Sequence, residues 1–282
     1  MFDNVLVSTD WLADHLNAPH LRIVDIRGHV IAASEPPPHY FNHQTDYENI
    51  HIPGALFLDW VDAITDPDDP RHAQIAKPER FAAVMSALAI GDDTAVIAYD
   101  DARGMFAARL WWSLNYYGHA NVAILNGGWE KWVAEQRPVE SITPHYSAAV
   151  FTPRPNPSSY RRGDQILAAL DEHQHLIDVR TPDEFAGRSS RAPRKGHIPG
   201  ALNLPRFELT QADGTMLPLD QLRQRFAAAG VSDTTEDVVF YCNGGVSASY
   251  GLLAYRAAGF TGGSVYDGSW KDWGSDESKP IA

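Results

Sequence analysis

The stretch Val238-Val239-Phe240-Tyr241-Cys242-Asn243-Gly244-Gly245-Val246-Ser247-Ala248-Ser249 holds the one cysteine in 282 residues. A β-branched and aromatic run leads into the thiol, and a Gly-Gly loop leads out into a helical pattern beginning near Ser247. That order predicts a strand, a tight loop and a helix N-terminus around a single sulfur. Successive backbone N–H groups in such a loop form an anion-binding nest, and the helix dipole adds positive potential. Both favour thiolate over thiol. A cysteine at a strand end is by default a small buried hydrophobe, so the choice between packing and chemistry falls to the rest of the chain.

Working outward, the chain repeats itself. Arg22-Ile23-Val24-Asp25-Ile26-Arg27 matches Leu176-Ile177-Asp178-Val179-Arg180, and His51-Ile52-Pro53-Gly54-Ala55-Leu56 recurs as His197-Ile198-Pro199-Gly200-Ala201-Leu202. Phe81 to Gly91 reads like Phe226 to Gly230, each closing a helical pattern before an apolar strand. Leu125-Asn126-Gly127-Gly128-Trp129 answers Tyr266-Asp267-Gly268-Ser269-Trp270. Aligned through the strands, Asp100 stands opposite Cys242, and the loop after Asp100 is one residue longer and carries no thiol. A packing cysteine gives no reason for a Gly-rich nest in one copy and an acidic loop in the other.

Each copy alternates β-branched runs with amphipathic patterns, which predicts an α/β fold of two tandem domains, each a mainly parallel sheet flanked by helices. Helices are expected over Pro78–Leu88 and Ala107–Tyr117 in the first copy, and near Asp164–Glu172, Asp220–Ala229 and Ser247–Ala258 in the second. The expected domains are 1–140 and 160–282, joined by a Pro-rich linker over 141–159 in which Tyr146, Val150 and Phe151 offer packing side chains.

Composition narrows the function. Hydrophobic residues are 44% and charged residues 21%, as in a globular protein. A net charge of −13 argues against nucleic acid or an anionic membrane as the main partner. One cysteine forms no internal disulfide, no apolar run approaches the roughly 20 residues that span a bilayer, and the first residues lack a signal-peptide pattern. The expected compartment is the cytoplasm. No second cysteine or His pair at ligand spacing suggests a metal, no Walker-type loop suggests a nucleotide, and no cofactor is expected. A cysteine phosphatase needs an arginine six residues after the nucleophile to grip phosphate, and that position is Ala248.

The motifs together resemble the rhodanese family, specifically its two-domain sulfurtransferases, over essentially the whole chain. The resemblance implies a catalytically silent first copy with Asp100 at the cysteine position. It implies that Cys242 takes a sulfane sulfur as a persulfide and passes it to cyanide or a thiol, either a small thiol or a thioredoxin-like protein. The amides of Asn243, Gly244, Gly245, Val246, Ser247 and Ala248 would then hold the sulfur, with Ser247 capping the helix or donating its hydroxyl. Thiosulfate enzymes resemble a cysteine followed by basic residues, whereas mercaptopyruvate enzymes resemble Cys-Gly-Ser-Gly-Val-Thr. The neutral Cys-Asn-Gly-Gly-Val-Ser leans to 3-mercaptopyruvate, with thiosulfate, a persulfide relay and a non-catalytic binding protein as alternatives. Two departures from the pattern are Gly244, where those enzymes place a serine, and Glu184, where they place a donor-binding arginine. Arg180, Arg188, Arg191 and Arg194 are the candidate donor contacts, with Arg180 equally suited to pairing with Asp178. His72, with an acid such as Asp59 behind it, aligns with a donor-contacting histidine. His51 and His197 recur in both copies, which suits a shared structural job.

Overall fold

A computed structural model describes residues 2, 4–31, 35–71, 73–170 and 175–282. Contacts divide the chain into two units, Met1–Asp68 with Ile75–Pro155 and Ala212–Thr215, and Asp69–Gln74 with Asn156–Gln211 and Met216–Ala282.

In the first unit the elements are β1 (Leu6–Val7), α1 (Thr9–His15), β2 (Leu21–Asp25), β3 (Gly28–Val30), β4 (Tyr40–Asn42), α2 (Gln44–Asn49), β5 (Ala55–Phe57), α3 (Pro78–Ala87), β6 (Ala95–Tyr99), α4 (Met105–Tyr116), β7 (Val122–Leu125) and α5 (Gly128–Ala134). The second has β8 (Tyr160–Arg161), α6 (Gly163–Ala168), β9 (His175–Asp178), α7 (Pro182–Phe185), β10 (Leu202–Asn203), α8 (Leu219–Ala228), β11 (Val238–Tyr241), α9 (Val246–Ala257), β12 (Ser264–Tyr266) and α10 (Ser269–Trp273).

The repeat reappears as topology. One parallel sheet runs β1-β7-β6-β2-β5 and the other runs β8-β12-β11-β9-β10, the same order strand for strand. Only the first unit adds an antiparallel hairpin, β3-β4, among the described residues. The central strands β6 and β11 read as continuous apolar runs because helices cover both faces of a parallel sheet, and all of Val238–Tyr241 is buried.

The shared motifs explain themselves as scaffold. His51 Nδ1–H donates to the Tyr47 carbonyl at 2.7 Å, and His197 Nδ1–H donates to the Phe185 carbonyl at 2.9 Å. Each ring stacks on the aromatic whose carbonyl it meets. The following Ile52 and Ile198 N–H groups each donate to a tyrosine hydroxyl, Tyr99 or Tyr241, at 3.3 Å. Those tyrosines end the central strands and lean on the buried Asp25–Arg27 and Asp178–Arg180 pairs.

Some sequence expectations shift. The helix expected to Glu172 ends at Ala168, and Glu172 itself lies outside the described residues. The helices after the two slots begin earlier than expected, at Met105 and Val246. The stretch expected as a linker is anchored at Tyr146 and Phe151, while Val150, expected to pack, leaves its side chain exposed. Phe151 is 5% exposed and meets Phe81 edge-on, the Val150 carbonyl accepts from Asp92 N–H, and Arg22 lies over the Tyr146 ring at 4.0 Å. The chain passes from one unit to the other between Pro155 and Asn156. Among the described residues no helix is long and apolar enough to cross a membrane.

Candidate active site

Cys242 follows β11 at the carboxyl end of the parallel sheet, where open α/β folds place their ligands, and is 4% exposed. Gly245 holds a left-handed conformation (φ 80°) and caps α9, so the chain turns sharply from strand to helix around the sulfur. Ser247 is therefore the second residue of α9 and not its cap, a correction to one of its two expected roles. The first amide bond inside the helix is from Ser249 N–H to the Gly245 carbonyl. The helix itself thus supplies no acceptor to the N–H groups of Val246, Ser247 and Ala248.

The loop is held from below by α10. Trp270 N–H donates to the Cys242 carbonyl at 3.0 Å and Lys271 N–H to the Asn243 carbonyl at 2.9 Å. Ser269 Oγ accepts the N–H groups of Cys242 and Gly245, both at 3.1 Å, and donates to the Tyr266 carbonyl at 2.7 Å. Sequence reasoning missed Ser269. Its repeat partner, Gly128, shares its positive φ (57° against 52°), a likeness that the sequence alone does not show.

The matching slot of the first unit holds a carboxyl group in place of a thiol. Asp100 follows β6 as Cys242 follows β11, and it is fully buried. Its Oδ1 accepts from Ala102 and Gly104 N–H at 2.9 and 2.8 Å, and its Oδ2 from Phe106 and Ala107 N–H at 2.7 and 2.8 Å. Burial raises the Asp100 carboxyl above its ordinary range, and the amides from Ala107, Ala102 and Gly104 oppose that shift. Gly104 caps α4 with φ 81°, so Phe106 and Ala107 correspond to Ser247 and Ala248. A strand-end carboxyl group accepting four backbone N–H bonds is the guest that this architecture accommodates.

The candidate arginines separate. Arg180 is 3% exposed, bonded to Asp178 and the Gly196 carbonyl, and stacked over Trp270 at 4.5 Å. Burial raises Asp178, and Arg180 opposes that shift. Arg180 mirrors Arg27 of the first unit, which pairs with Asp25 under Trp129, so its geometry is that of scaffold. Arg194 is committed to the carbonyls of Gly274, Lys279, Trp273 and Asp276. Arg180 leaves Nη1 buried without a partner, whereas each guanidinium nitrogen of Arg194 meets a backbone carbonyl. Arg188 is exposed and paired with Asp183, while Arg191 is partly buried on the same segment. Asp59, in the first unit, accepts from Asn42 Nδ2 at 2.7 Å and Val61 N–H at 2.9 Å. His72 lies outside the described residues.

Glu184 meets the loop directly. Its Oε1 accepts from Asn243 Nδ2 at 2.8 Å, while Oε2 closes a capping box with Thr181 at the start of α7. The other amide atom, Asn243 Oδ1, is buried without a partner.

Comparison with known proteins agrees with this geometry. The rhodanese-like domain matches residues 8–135 and again 163–276. The chain belongs to the rhodanese family. It is 32% identical over 279 residues to the 3-mercaptopyruvate sulfurtransferase of Escherichia coli, covering 98% of this chain and 96% of that one. It is 34% identical over 289 residues to a putative thiosulfate sulfurtransferase of Saccharopolyspora erythraea (99% and 96% covered). The sulfur carrier protein TtuD of Thermus thermophilus is 32% identical over 292 residues (99% and 96%). The crystal structure of SseA from Escherichia coli, a 3-mercaptopyruvate enzyme by its description, superposes with a TM-score of 0.83 at 32% identity, over 95% of this chain and 99% of that one. Like the Escherichia coli relative, the chain is a sulfurtransferase enzyme.

Proposed function

We propose that the chain moves a sulfane sulfur from 3-mercaptopyruvate, in preference to thiosulfate, through a persulfide on Cys242 to cyanide or a thiol. In the loading step the Cys242 thiolate attacks the donor sulfur. A new S–S bond forms, the donor C–S bond breaks, and its electron pair takes up the proton shed by the new persulfide, giving pyruvate. In discharge an acceptor attacks the outer sulfur, the S–S bond breaks, and its electron pair returns to Cys242 as thiolate. Cyanide leaves as thiocyanate. Amides at the start of α9, including that of Ala248, stabilise the anionic sulfur as their counterparts stabilise Asp100.

The observation that carries the donor preference is the Glu184–Asn243 contact. A carboxylate on the loop's first side chain, with no basic residue in the loop, penalises a dianion such as thiosulfate more than a monoanion. Arg188 and Arg191 are proposed to meet the donor's carboxylate, since the exposed Arg188–Asp183 pair is weak and readily exchanged. The site works without a cofactor, in the cytoplasm, and the acceptor is a small thiol or a thioredoxin-like protein.

A second reading, a persulfide relay loaded by a partner protein, is favoured by one observation. Arg194 is spent on backbone carbonyls and Arg180 is paired with Asp178 through Nε and Nη2, which leaves fewer cations for a small anionic donor. Thiocyanate formation from cyanide with each donor at equal concentration tests both. Mercaptopyruvate turnover that exceeds thiosulfate turnover supports the proposal. A thiosulfate preference contradicts it, and no turnover with either while Cys242 still loads from a protein persulfide supports the relay.

A further inference from the structure

The two slots dispose of one amide differently. In the first unit Gly104 N–H points at the slot anion, Asp100 Oδ1, at 2.8 Å. Gly245 occupies the same place in the second unit, yet its N–H turns to Ser269 Oγ, as does that of Cys242. With two bonds accepted and its proton given to the Tyr266 carbonyl, the Ser269 hydroxyl is saturated and offers nothing further to sulfur. Ser269 is fully buried and holds φ 52°, a conformation that disfavours any side chain. Gly128, its counterpart, takes φ 57°, and a Cβ built there would lie 2.4 Å from the Asp100 carbonyl. The second unit therefore keeps a serine where the backbone favours glycine, and the hydroxyl's amide contacts are what it gains.

We propose that Ser269 is a positioning residue that withdraws the Gly245 amide from the slot, so that sulfur on Cys242 is held less tightly than the resident carboxylate of Asp100 and leaves readily. This rests on the persulfide reading above. Asp100 is a permanent guest, and four amides serve it well. A transferred sulfur is different, because an amide that stabilises the loaded anion more than its departing transition state slows discharge.

The test is single-turnover kinetics of the full chain with Ser269→Gly, whose backbone suits the positive φ. Protein is loaded with mercaptopyruvate, freed of donor, and discharged into cyanide. Loading should stay within about twofold of the parent, and discharge should slow about tenfold, the worth of one hydrogen bond to a charged group. Ser269→Ala, which also lacks the hydroxyl, should move discharge the same way. Equal slowing of both steps would mark Ser269 as merely structural and overturn the proposal, as would unchanged or faster discharge. A parent protein that never loads sulfur overturns the persulfide reading, and this inference with it.

Discussion

Glu184 holds Asn243, the residue next to Cys242, through a 2.8 Å bond from Asn243 Nδ2 to Glu184 Oε1. The carboxylate that fixes the loop's first side chain also sets the charge that an arriving donor meets. Glu184→Gln preserves an acceptor and deletes that charge. At an effective dielectric near 20 to 40, one charge several ångströms away is worth about 1 kcal/mol. The ratio of kcat/KM for thiosulfate to that for mercaptopyruvate should rise about fivefold. An unchanged ratio would remove Glu184 from the account of donor choice.

Asp100 is the anchor of the first unit's slot. Asn in its place would turn an NH2 group toward two backbone N–H donors, leaving them without an acceptor in a buried site. Asp100→Asn should cost about 2–4 kcal/mol, the range for buried donors that lose a charged acceptor. Urea denaturation followed by tryptophan fluorescence measures this.

The arginines should divide by role. Arg194→Ala frees the carbonyls of Gly274, Trp273, Asp276 and Lys279 and should destabilise the fold by about 2 kcal/mol. Arg188→Ala and Arg191→Ala should leave the melting temperature nearly unchanged and raise KM for mercaptopyruvate about three- to tenfold, the scale of a partly exposed charge contact. Thermal melts and steady-state kinetics on the same preparations separate the two patterns.

One carboxylate gives a pH signature. Bonds from Lys131, Thr9 and Arg137 hold Glu135 down to about 2, with the Lys131 contact the largest cause. Because the folded value is depressed, this stabilisation is present above the ordinary glutamate value of 4.5 and is lost as pH falls through about 2. Glu135→Gln should lower stability at pH 7 by up to about 1 kcal/mol. The gap to the parent should narrow as pH falls below 4.5 and vanish only below about 2, which parallel melts across that range would show.

Much of this molecule was legible in its repeats. Matched strands, His-Ile-Pro-Gly-Ala turns and tryptophan elements foretold two sheets of one topology, because parallel α/β units announce each strand by an apolar run and each turn by glycine. The slot comparison between Asp100 and Cys242 was also readable. Side-chain commitments were not. The Arg180–Asp178 pair was one of two roles expected of Arg180, but Arg194 looks like Arg188 in sequence and yet is spent on backbone carbonyls of Gly274, Trp273 and Lys279. Ser247 looked like a helix cap, but the left-handed Gly245 takes that place and starts α9 a residue earlier. Ser269 was hidden because its importance lies in a conformation and not in a motif.

The central claim is that Cys242 carries the transferred sulfur. Intact-mass analysis of the full chain after brief exposure to mercaptopyruvate, followed by peptide mapping, tests it most directly. The predicted result is a gain of one sulfur atom on the peptide containing Cys242, lost on adding cyanide and absent in Cys242→Ser. Turnover by the parent with no sulfur adduct on that peptide, or thiocyanate formation by Cys242→Ser, would contradict the account.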